Sequence, residues 1–191
     1  MHINDLLVVH RTAVFTSVEI VSKVSAADLG NRTPCAEWTL AELLAHMTAQ
    51  HRGFAAAARG NGNDLTAWEA RDGDDYAEAA RDLLAAFAEP DVPQREFDLP
   101  EFGPGARFPA VQAVGFHFID YVVHGWDVAR SIGIGYDLAP ELAEPALQIA
   151  LMVPAEGRQV PGAPFGPALT SSDDDPLHRI LAVLGRSPEW S

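Results

Sequence analysis

Two histidines and two aspartates lie on one side of a segment that is otherwise almost wholly apolar. Residues 113–129 contain no Lys, Arg or Glu, and their strongly polar members are His117, Asp120, His124 and Asp127. On a helix that turns by about 100° per residue, these side chains fall within a sector of about 80°. Imidazole nitrogens and carboxylate oxygens are atoms with which proteins bind divalent transition metals. The segment is therefore a candidate metal-binding helix, and its four polar residues are called the polar stripe below.

Two interpretations of the polar stripe compete. It is either the solvated face of an amphipathic helix or a set of groups that faces an interior cavity. Solvated faces usually carry Lys, Glu and Arg, which are absent here, and aromatic residues flank the stripe. Buried imidazoles and carboxylates need partners, because an isolated buried charge is strongly destabilising. A divalent cation would satisfy them together, and spacings of three and four residues place neighbouring members on adjacent turns, so metal binding is favoured.

A metal site between helices also needs a ligand from a facing helix. The second predicted helix offers His46 and His51. Periodicity places His51 near the middle of the apolar side of that helix and His46 at its border, so spacing alone leans toward His51 and does not decide. A single histidine on a helix is also often a hydrogen-bonded core residue. The remaining histidines, His2, His10 and His178, lie near termini or helix ends and give no signal.

The candidate helix is the fourth of six predicted helices. Apolar periodicity and capping signals predict helices over about 3–24, 39–59, 74–88, 109–132, 140–152 and 176–184. Thr39 and Glu42 form a capping-box pattern at the start of the second helix. Residues 90–108 contain four prolines and predict a long connection with a short hairpin, and residues 154–167 predict an irregular segment. The expected fold is mostly α: a four-helix bundle with a long crossover and an additional short C-terminal helix.

Length and charge narrow the class of protein further. The chain has 191 residues, 48% of them hydrophobic and 21% charged, which fits a single domain over residues 1–191. A net charge of −14 disfavours nucleic acid and anionic membranes as partners. With no signal peptide and no apolar run long enough to span a membrane, a cytoplasmic protein is expected. The single cysteine, Cys35, excludes a thiolate-rich zinc site and is interpreted as a residue that packs a loop, with a nucleophile as the alternative.

Three segments together resemble a known family. They are Thr-Pro-Cys-Ala-Glu-Trp-Thr at 33–39, Val-His-Gly-Trp-Asp-Val-Ala-Arg at 123–130, and Phe-Gly-Pro-Ala-Leu at 165–169 with Leu-Gly-Arg-Ser-Pro-Glu-Trp at 184–190. The chain resembles actinobacterial metal-binding proteins related to the N-terminal domain of mycothiol-dependent maleylpyruvate isomerase, within the DinB-like superfamily. The resemblance implies a DinB-like four-helix bundle that holds one divalent ion, most commonly zinc, with nickel as an alternative.

The resemblance also implies a ligand set. The ion would be held by His46 from the second helix and by Asp120 and His124 from the fourth, with Asp120 standing where the isomerase has a glutamate. His117 would be a fourth ligand or a supporting residue. Asp127 would orient an imidazole N–H. This implication replaces the preference for His51, which becomes a residue that lines the cavity.

The chemistry implied is activation of a low-molecular-weight thiol, here mycothiol, on the metal so that the thiolate attacks a small electrophilic substrate. The chain would then be a thiol transferase or isomerase, working as a monomer or homodimer, with Asp127, Tyr121 and His51 as candidate acids or bases. Arg130 and Arg52 would bind the cofactor or a substrate carboxylate, as could Arg158, although a surface salt bridge is the favoured alternative for each of the three. The alternative is a non-catalytic metal-containing bundle that binds a small ligand.

Overall fold

Four helices form the bundle at the centre of the molecule, and two further helices pack against it. The computed structural model describes residues 1–35, 38–71, 73–156, 158, 165–171 and 173–191. The helices are α1 (Ile3–Val21), α2 (Leu40–Ala58), α3 (Tyr76–Phe87), α4 (Ala110–Ser131), α5 (Pro140–Met152) and α6 (Pro176–Val183). Single 3₁₀ turns occupy Leu65–Trp68, Val92–Gln94 and Pro100–Phe102, and strands β1 (Glu96–Asp98) and β2 (Arg107–Pro109) form a hairpin. The predicted mostly α fold is confirmed.

Side chains at the helix ends explain where the helices begin. Thr39 accepts a hydrogen bond from the Glu42 amide while Glu42 accepts one from the Thr39 amide, so the predicted capping box is confirmed. Asp175 caps α6 in the same position, with Pro176 as the first helical residue. α1 ends earlier than predicted because the amide of Lys23 bonds three residues back instead of four.

The four helices of the bundle do not simply alternate in direction. α1 packs along α4 and α3, and α2 packs on α3 and α4. His51 contacts Tyr76, and further along both helices Arg59 pairs with Asp82, so α2 and α3 run in the same direction. The chain over residues 59–75 must therefore return along the bundle before α3 begins. This connection is the crossover that the sequence predicted without locating it.

Trp68 holds the crossover against α2. Its ring packs on Phe54 with 5.3 Å between ring centroids, and its indole N–H donates to the carbonyl of Gly62. A Cβ atom at Gly53 would overlap the Trp68 ring, so only glycine lets the tryptophan approach the helix so closely. Arg52 adds hydrogen bonds to carbonyls of the same segment.

The predicted connection with a short hairpin between α3 and α4 is also confirmed. β1 and β2 pair antiparallel, with Phe97 opposite Phe108. At the hairpin tip, the ring of Phe102 packs against Phe108 and against Phe116 of α4, at 4.9 and 5.0 Å between centroids. These aromatic contacts fix the hairpin tip to the N-terminal half of α4. None of the described helices is long and apolar enough to cross a membrane.

Candidate functional site

The polar stripe lies inside the protein. His117 and Asp127 are 0% exposed, His124 is 6% exposed and Asp120 is half-buried. Tyr121 and Val128, beside the stripe, belong to a buried apolar cluster that also contains Met47 of α2. The interpretation as a solvated face is therefore wrong, and the interior placement expected from the missing Lys, Glu and Arg is confirmed.

The stripe faces α2, which runs antiparallel to α4 and offers a histidine opposite each of the two histidines of the stripe. His124 faces His46, with 5.6 Å between ring centroids. Further along, Nε2 of His117 lies 3.2 Å from Nδ1 of His51. The sequence could not decide between the two histidines of α2. Both of them contact a histidine of α4, but at different levels of the bundle. His46 stands beside the predicted metal ligands, and His51 stands deeper in the core.

His124 interacts electrostatically with both His46 and Asp120, but the possible ligand atoms of these three residues do not all lie within 4.8 Å of one another, so the structure does not bring the predicted triad together. Burial, and to a lesser extent the neighbouring His124, lower the pKa of His46 to about 3, so its imidazole is neutral and able to bind a metal. Burial raises the pKa of Asp120, and the charge of His124 opposes that rise. Two imidazoles and one carboxylate fit a zinc-type ion in their donor chemistry.

His124 is held from its other side by a carboxylate. Its Nδ1 atom lies 3.0 Å from Oδ2 of Asp127, which leaves Nε2 as the nitrogen available to an ion. Burial lowers the pKa of His124, but the hydrogen bonds of Asp127 and Cys35 overcome this effect and raise the pKa to about 10. In the metal-free protein the ring is therefore a cation, and an ion bound at Nε2 replaces a proton.

Asp127 is the centre of a second group of contacts that the sequence did not predict. Nε of Arg186 lies 3.2 Å from Oδ1 of Asp127, and the Cys35 thiol donates to Oδ2 at 3.1 Å. Burial would raise the pKa of Asp127, but Arg186 and His124 lower it, so the group stays a carboxylate. The contact with Nδ1 of His124 fits the expected role of Asp127 in orienting an imidazole N–H, which stays a prediction.

Cys35 is not only a residue that packs a loop. Its sulfur lies 3.1 Å from Nη2 of Arg186 and 3.8 Å from Nδ1 of His124. Possible ligand atoms of Cys35, His124 and Asp127 all lie within 4.8 Å of one another, the one such group of three among the described residues. Cys35 and Arg186 were missed as site residues, although each stands in a segment that carried the family resemblance. The signal that could have identified them is that both segments belong to the motifs that carry the resemblance.

His117 is part of a buried chain of three imidazoles. Nε2 of His10 lies 2.9 Å from Nδ1 of His117, whose Nε2 in turn contacts His51. Both ring nitrogens of His117 are thus engaged, so its imidazole has no nitrogen left for the predicted ion in this structure. Burial lowers the pKa of all three histidines, to about 3 for His10. His10, which gave no sequence signal, is fully buried beside Phe87.

The other candidate acids, bases and cofactor-binding residues have structural partners. The Tyr121 hydroxyl donates to the Met47 carbonyl, and its ring stacks on His117 at 4.0 Å and on His51 at 4.2 Å. This leaves Tyr121 and His51 as core residues in this structure. As acids or bases they stay predictions that these contacts do not support.

The arginines expected to bind a cofactor or substrate hold chain segments together. Arg52 pairs with Asp74 at 2.9 Å, in addition to its bonds to the crossover. Arg130 donates to the carbonyl of Trp190, and Arg158 donates to carbonyls that include Val183. Cofactor binding by Arg130 and Arg52 stays a prediction, since these guanidinium groups already have partners.

The helices α2 and α4 run antiparallel, and histidines and carboxylates line the sides that face each other. With Asp127 as the carboxylate that holds His124, these features are those of a helical bundle protein whose donor groups are compatible with a divalent metal. The chain belongs to the family described as mycothiol maleylpyruvate isomerase N-terminal domain, whose sequence model matches residues 11–129. That range contains His46, Asp120, His124 and Asp127, and it ends before Arg186.

Two relatives extend the similarity to most of the chain. They are uncharacterized proteins of Mycobacterium tuberculosis, from strains CDC 1551 / Oshkosh and ATCC 25618 / H37Rv, each 29% identical over 186 residues. The match covers 96% of this chain and 98% of each relative.

Two solved structures have a similar fold. They are the mycothiol-dependent maleylpyruvate isomerase, at a TM-score of 0.56 and 17% identity, and a histidine-to-alanine mutant of it, at 0.60 and 15%. Each match covers 78% of this chain and 68% of the other. They support the DinB-like bundle as the fold.

Proposed function

We propose that this protein is a divalent-metal-dependent enzyme that uses a low-molecular-weight thiol of the mycothiol type on a small electrophilic substrate, by S-transfer or isomerisation. Membership in the maleylpyruvate isomerase N-terminal family supports a thiol-dependent, isomerase-like activity. The observation that carries the metal part is the position of His124, between Asp127 on one side and His46 on the other.

In this proposal His46, Asp120 and His124 hold the ion, zinc first and nickel second. The ion supplies a Lewis acid that lowers the pKa of a bound thiol. Two further residues of the chain would support the ion's ligands. Asp127 keeps the Nδ1 proton of His124 in place, so that Nε2 faces the ion. Arg186 neutralises Asp127, so this carboxylate does not need a proton at neutral pH.

A second candidate function rests on the Cys35 group. Cys35, His124 and Asp127 could bind an ion through the Nδ1 side of His124, in a buried position that suits a non-catalytic metal-containing bundle. The guanidinium of Arg186, in contact with both Cys35 and Asp127, opposes a second cation there. The site of His46 and Asp120 is therefore preferred.

Metal analysis of matched variants separates the two functions. We expect wild-type protein loaded with zinc or nickel, then desalted, to retain about one ion per chain, and His46→Ala and Asp120→Ala to lose most of it. Cys35→Ser should keep the ion. Loss in Cys35→Ser with retention in His46→Ala would establish the Cys35 group instead. The metal-loaded protein is then incubated with mycothiol and small electrophiles, and thiol consumption is followed by mass spectrometry. No thiol consumption by a fully loaded protein would favour the non-catalytic bundle.

A further inference from the structure

Trp38 lies where the histidines of the candidate site come nearest to solvent. Its ring packs against the imidazole of His46, with 4.7 Å between ring centroids and 43° between ring planes. Of the four histidines between α2 and α4, His46 is the most exposed, whereas His124 is 6% exposed and His51 and His117 are 0% exposed. A molecule that approaches His124 from the exposed side of His46 therefore meets the Trp38 indole.

The Trp38 side chain is more exposed than the other tryptophans of the chain. It is 36% exposed, whereas Trp126 is 4% exposed and Trp68 and Trp190 are partly buried. Tryptophan has a large apolar surface and is strongly buried on average, so leaving about a third of it in water is unfavourable. An aromatic side chain that stays accessible beside a row of polar groups is typical of a surface that binds a small ligand.

Hydrogen bonds hold the loop that carries Trp38 against α4. The hydroxyl of Thr33, which is 3% exposed, donates to the carbonyl of Trp38 at 2.9 Å, and the Trp38 amide donates to the carbonyl of Cys35 at 2.8 Å. Asn31 ties the same loop to the end of α4, because its side-chain amide donates to the carbonyl of Ser131 at 2.9 Å. The Trp38 backbone is therefore fixed before a ligand binds, which lowers the conformational entropy lost on binding.

The electronic character of the indole indicates which ligands it suits. The face of its π system is negative, so it attracts flat groups from which π electrons have been withdrawn. An electrophile that a thiolate attacks is electron-poor, and conjugation with carbonyl or nitro groups also makes it flat. The Trp38 indole is therefore suited to the conjugated part of an electrophile and gains less from a saturated one.

We propose that Trp38 is a substrate-binding residue of this protein, whose indole stacks on the flat, conjugated part of the electrophile. The inference rests on the proposed function and adds the class of substrate to it: an electrophile conjugated with carbonyl or nitro groups, in preference to an alkyl epoxide or halide. Trp38 sets the specificity for the electrophile, while the thiol is activated deeper in the site, between His46 and His124.

Binding of an unreactive probe tests the inference without catalysis. Dinitrobenzene is flat and electron-poor and has no leaving group, and its binding is followed by NMR of the indole N–H groups of the four tryptophans. We expect the Trp38 signal, identified by its loss in Trp38→Phe, to shift most, and the dissociation constant to rise by about 3- to 10-fold in Trp38→Ala. Trp38→Phe should bind nearly as well as wild type. Phe15→Ala is the control and should bind like wild type, because Phe15 is 44% exposed on α1 and contacts Arg11.

Turnover by the zinc-loaded protein separates substrate binding from support of His46. Mycothiol is supplied with chlorodinitrobenzene, from which the thiolate sulfur displaces chloride, or with an aliphatic epoxide, which the sulfur opens and whose oxygen then takes a proton from water. Trp38→Ala should raise KM for chlorodinitrobenzene by about 3- to 10-fold, and it should leave the zinc affinity, kcat and the KM of the epoxide unchanged.

Equal dinitrobenzene affinities in wild type and Trp38→Ala, or no binding to wild type, would overturn the inference and leave the proposed function intact. An equal rise in both KM values, or a loss of zinc affinity in Trp38→Ala, would also overturn it, since the indole would then only hold His46 in place. Failure of the zinc-loaded wild-type protein to consume thiol with either electrophile would overturn both.

Discussion

Nδ1 of His124 lies 3.0 Å from Oδ2 of Asp127, three residues further along the same buried helix. The carboxylate fixes which nitrogen of the ring carries a proton and which one is presented to the opposite helix. The same carboxylate also pairs with Arg186, from the segment after α6. The orientation of one predicted metal ligand therefore depends on a residue that is not in the bundle.

The first prediction concerns Asp127→Asn, which keeps the side-chain volume and removes the charge. Zinc binding should weaken by about 10- to 100-fold, because the neutral amide is a weaker acceptor than the carboxylate for the Nδ1 proton that orients His124. The free energy of unfolding should also fall by about 3–5 kcal/mol, because Arg186 is left buried without its counter-charge. Chelator competition and urea unfolding measure the two effects. Unchanged zinc affinity in a folded variant would rule out the orienting role.

A second prediction is that zinc affinity increases with pH through the neutral range. The pKa of His124 is raised to about 10, so the metal-free ring is protonated and zinc must displace that proton. His46, with its pKa lowered to about 3, releases none. The apparent affinity should therefore rise at least tenfold per pH unit below the pKa of His124, as seen by chelator competition at several pH values. A zinc affinity that does not change with pH would mean that His124 is already neutral in the metal-free protein.

The third prediction concerns acid unfolding. The pKa of His10 falls from an unfolded value of 6.5 to about 3 in the fold, so the unfolded chain takes up the proton first as pH falls. Stability contributed by the neutral ring is present above pH 6.5 and is lost toward lower pH, at about 1.4 kcal/mol per pH unit. In urea unfolding, His10→Gln should show a shallower pH dependence than wild type. An unchanged slope in His10→Gln would show that the buried ring does not contribute to acid unfolding.

The fourth prediction tests how the crossover is attached. Gly53→Ala should destabilise the fold by about 1–3 kcal/mol, because the new methyl group overlaps the Trp68 ring. Gly30→Ala has no atom within 4 Å of the added Cβ and should change stability by less than about 0.5 kcal/mol. Urea unfolding followed by tryptophan fluorescence compares them. Equal stabilities would show that the crossover moves aside without loss.

The sequence was informative where one helix carries its own signal. The absence of Lys, Glu and Arg around the polar stripe was enough to predict that it is buried, and the capping pattern at Thr39 was enough to predict the start of α2. Periodicity alone could not decide between His46 and His51 as the residue opposite His124. That pairing depends on the position of α2 along α4, which is set by side chains of both helices.

The sequence also could not predict contacts that are made by loops and by backbone groups. Cys35 meets Asp127 across 92 positions of sequence, and Arg186 meets it across 59, with no periodicity to connect them. Arg52 and Arg130 could be interpreted as ligand-binding residues because both donate to backbone carbonyls, which every residue has. The sequence alone does not indicate which carbonyl a guanidinium group will meet.

The contact between Arg186 and Asp127 has a consequence for how the protein is made. A ribosome adds residues at about 5–20 per second, so Arg186 is synthesised about 3–12 s after Asp127, 59 positions earlier. During that interval the nascent chain can form α1 to α4, but its buried carboxylate lacks the guanidinium that balances it. The contacts of Asp127 are therefore completed only after Arg186 has been made, later than the helices that carry His46 and His124.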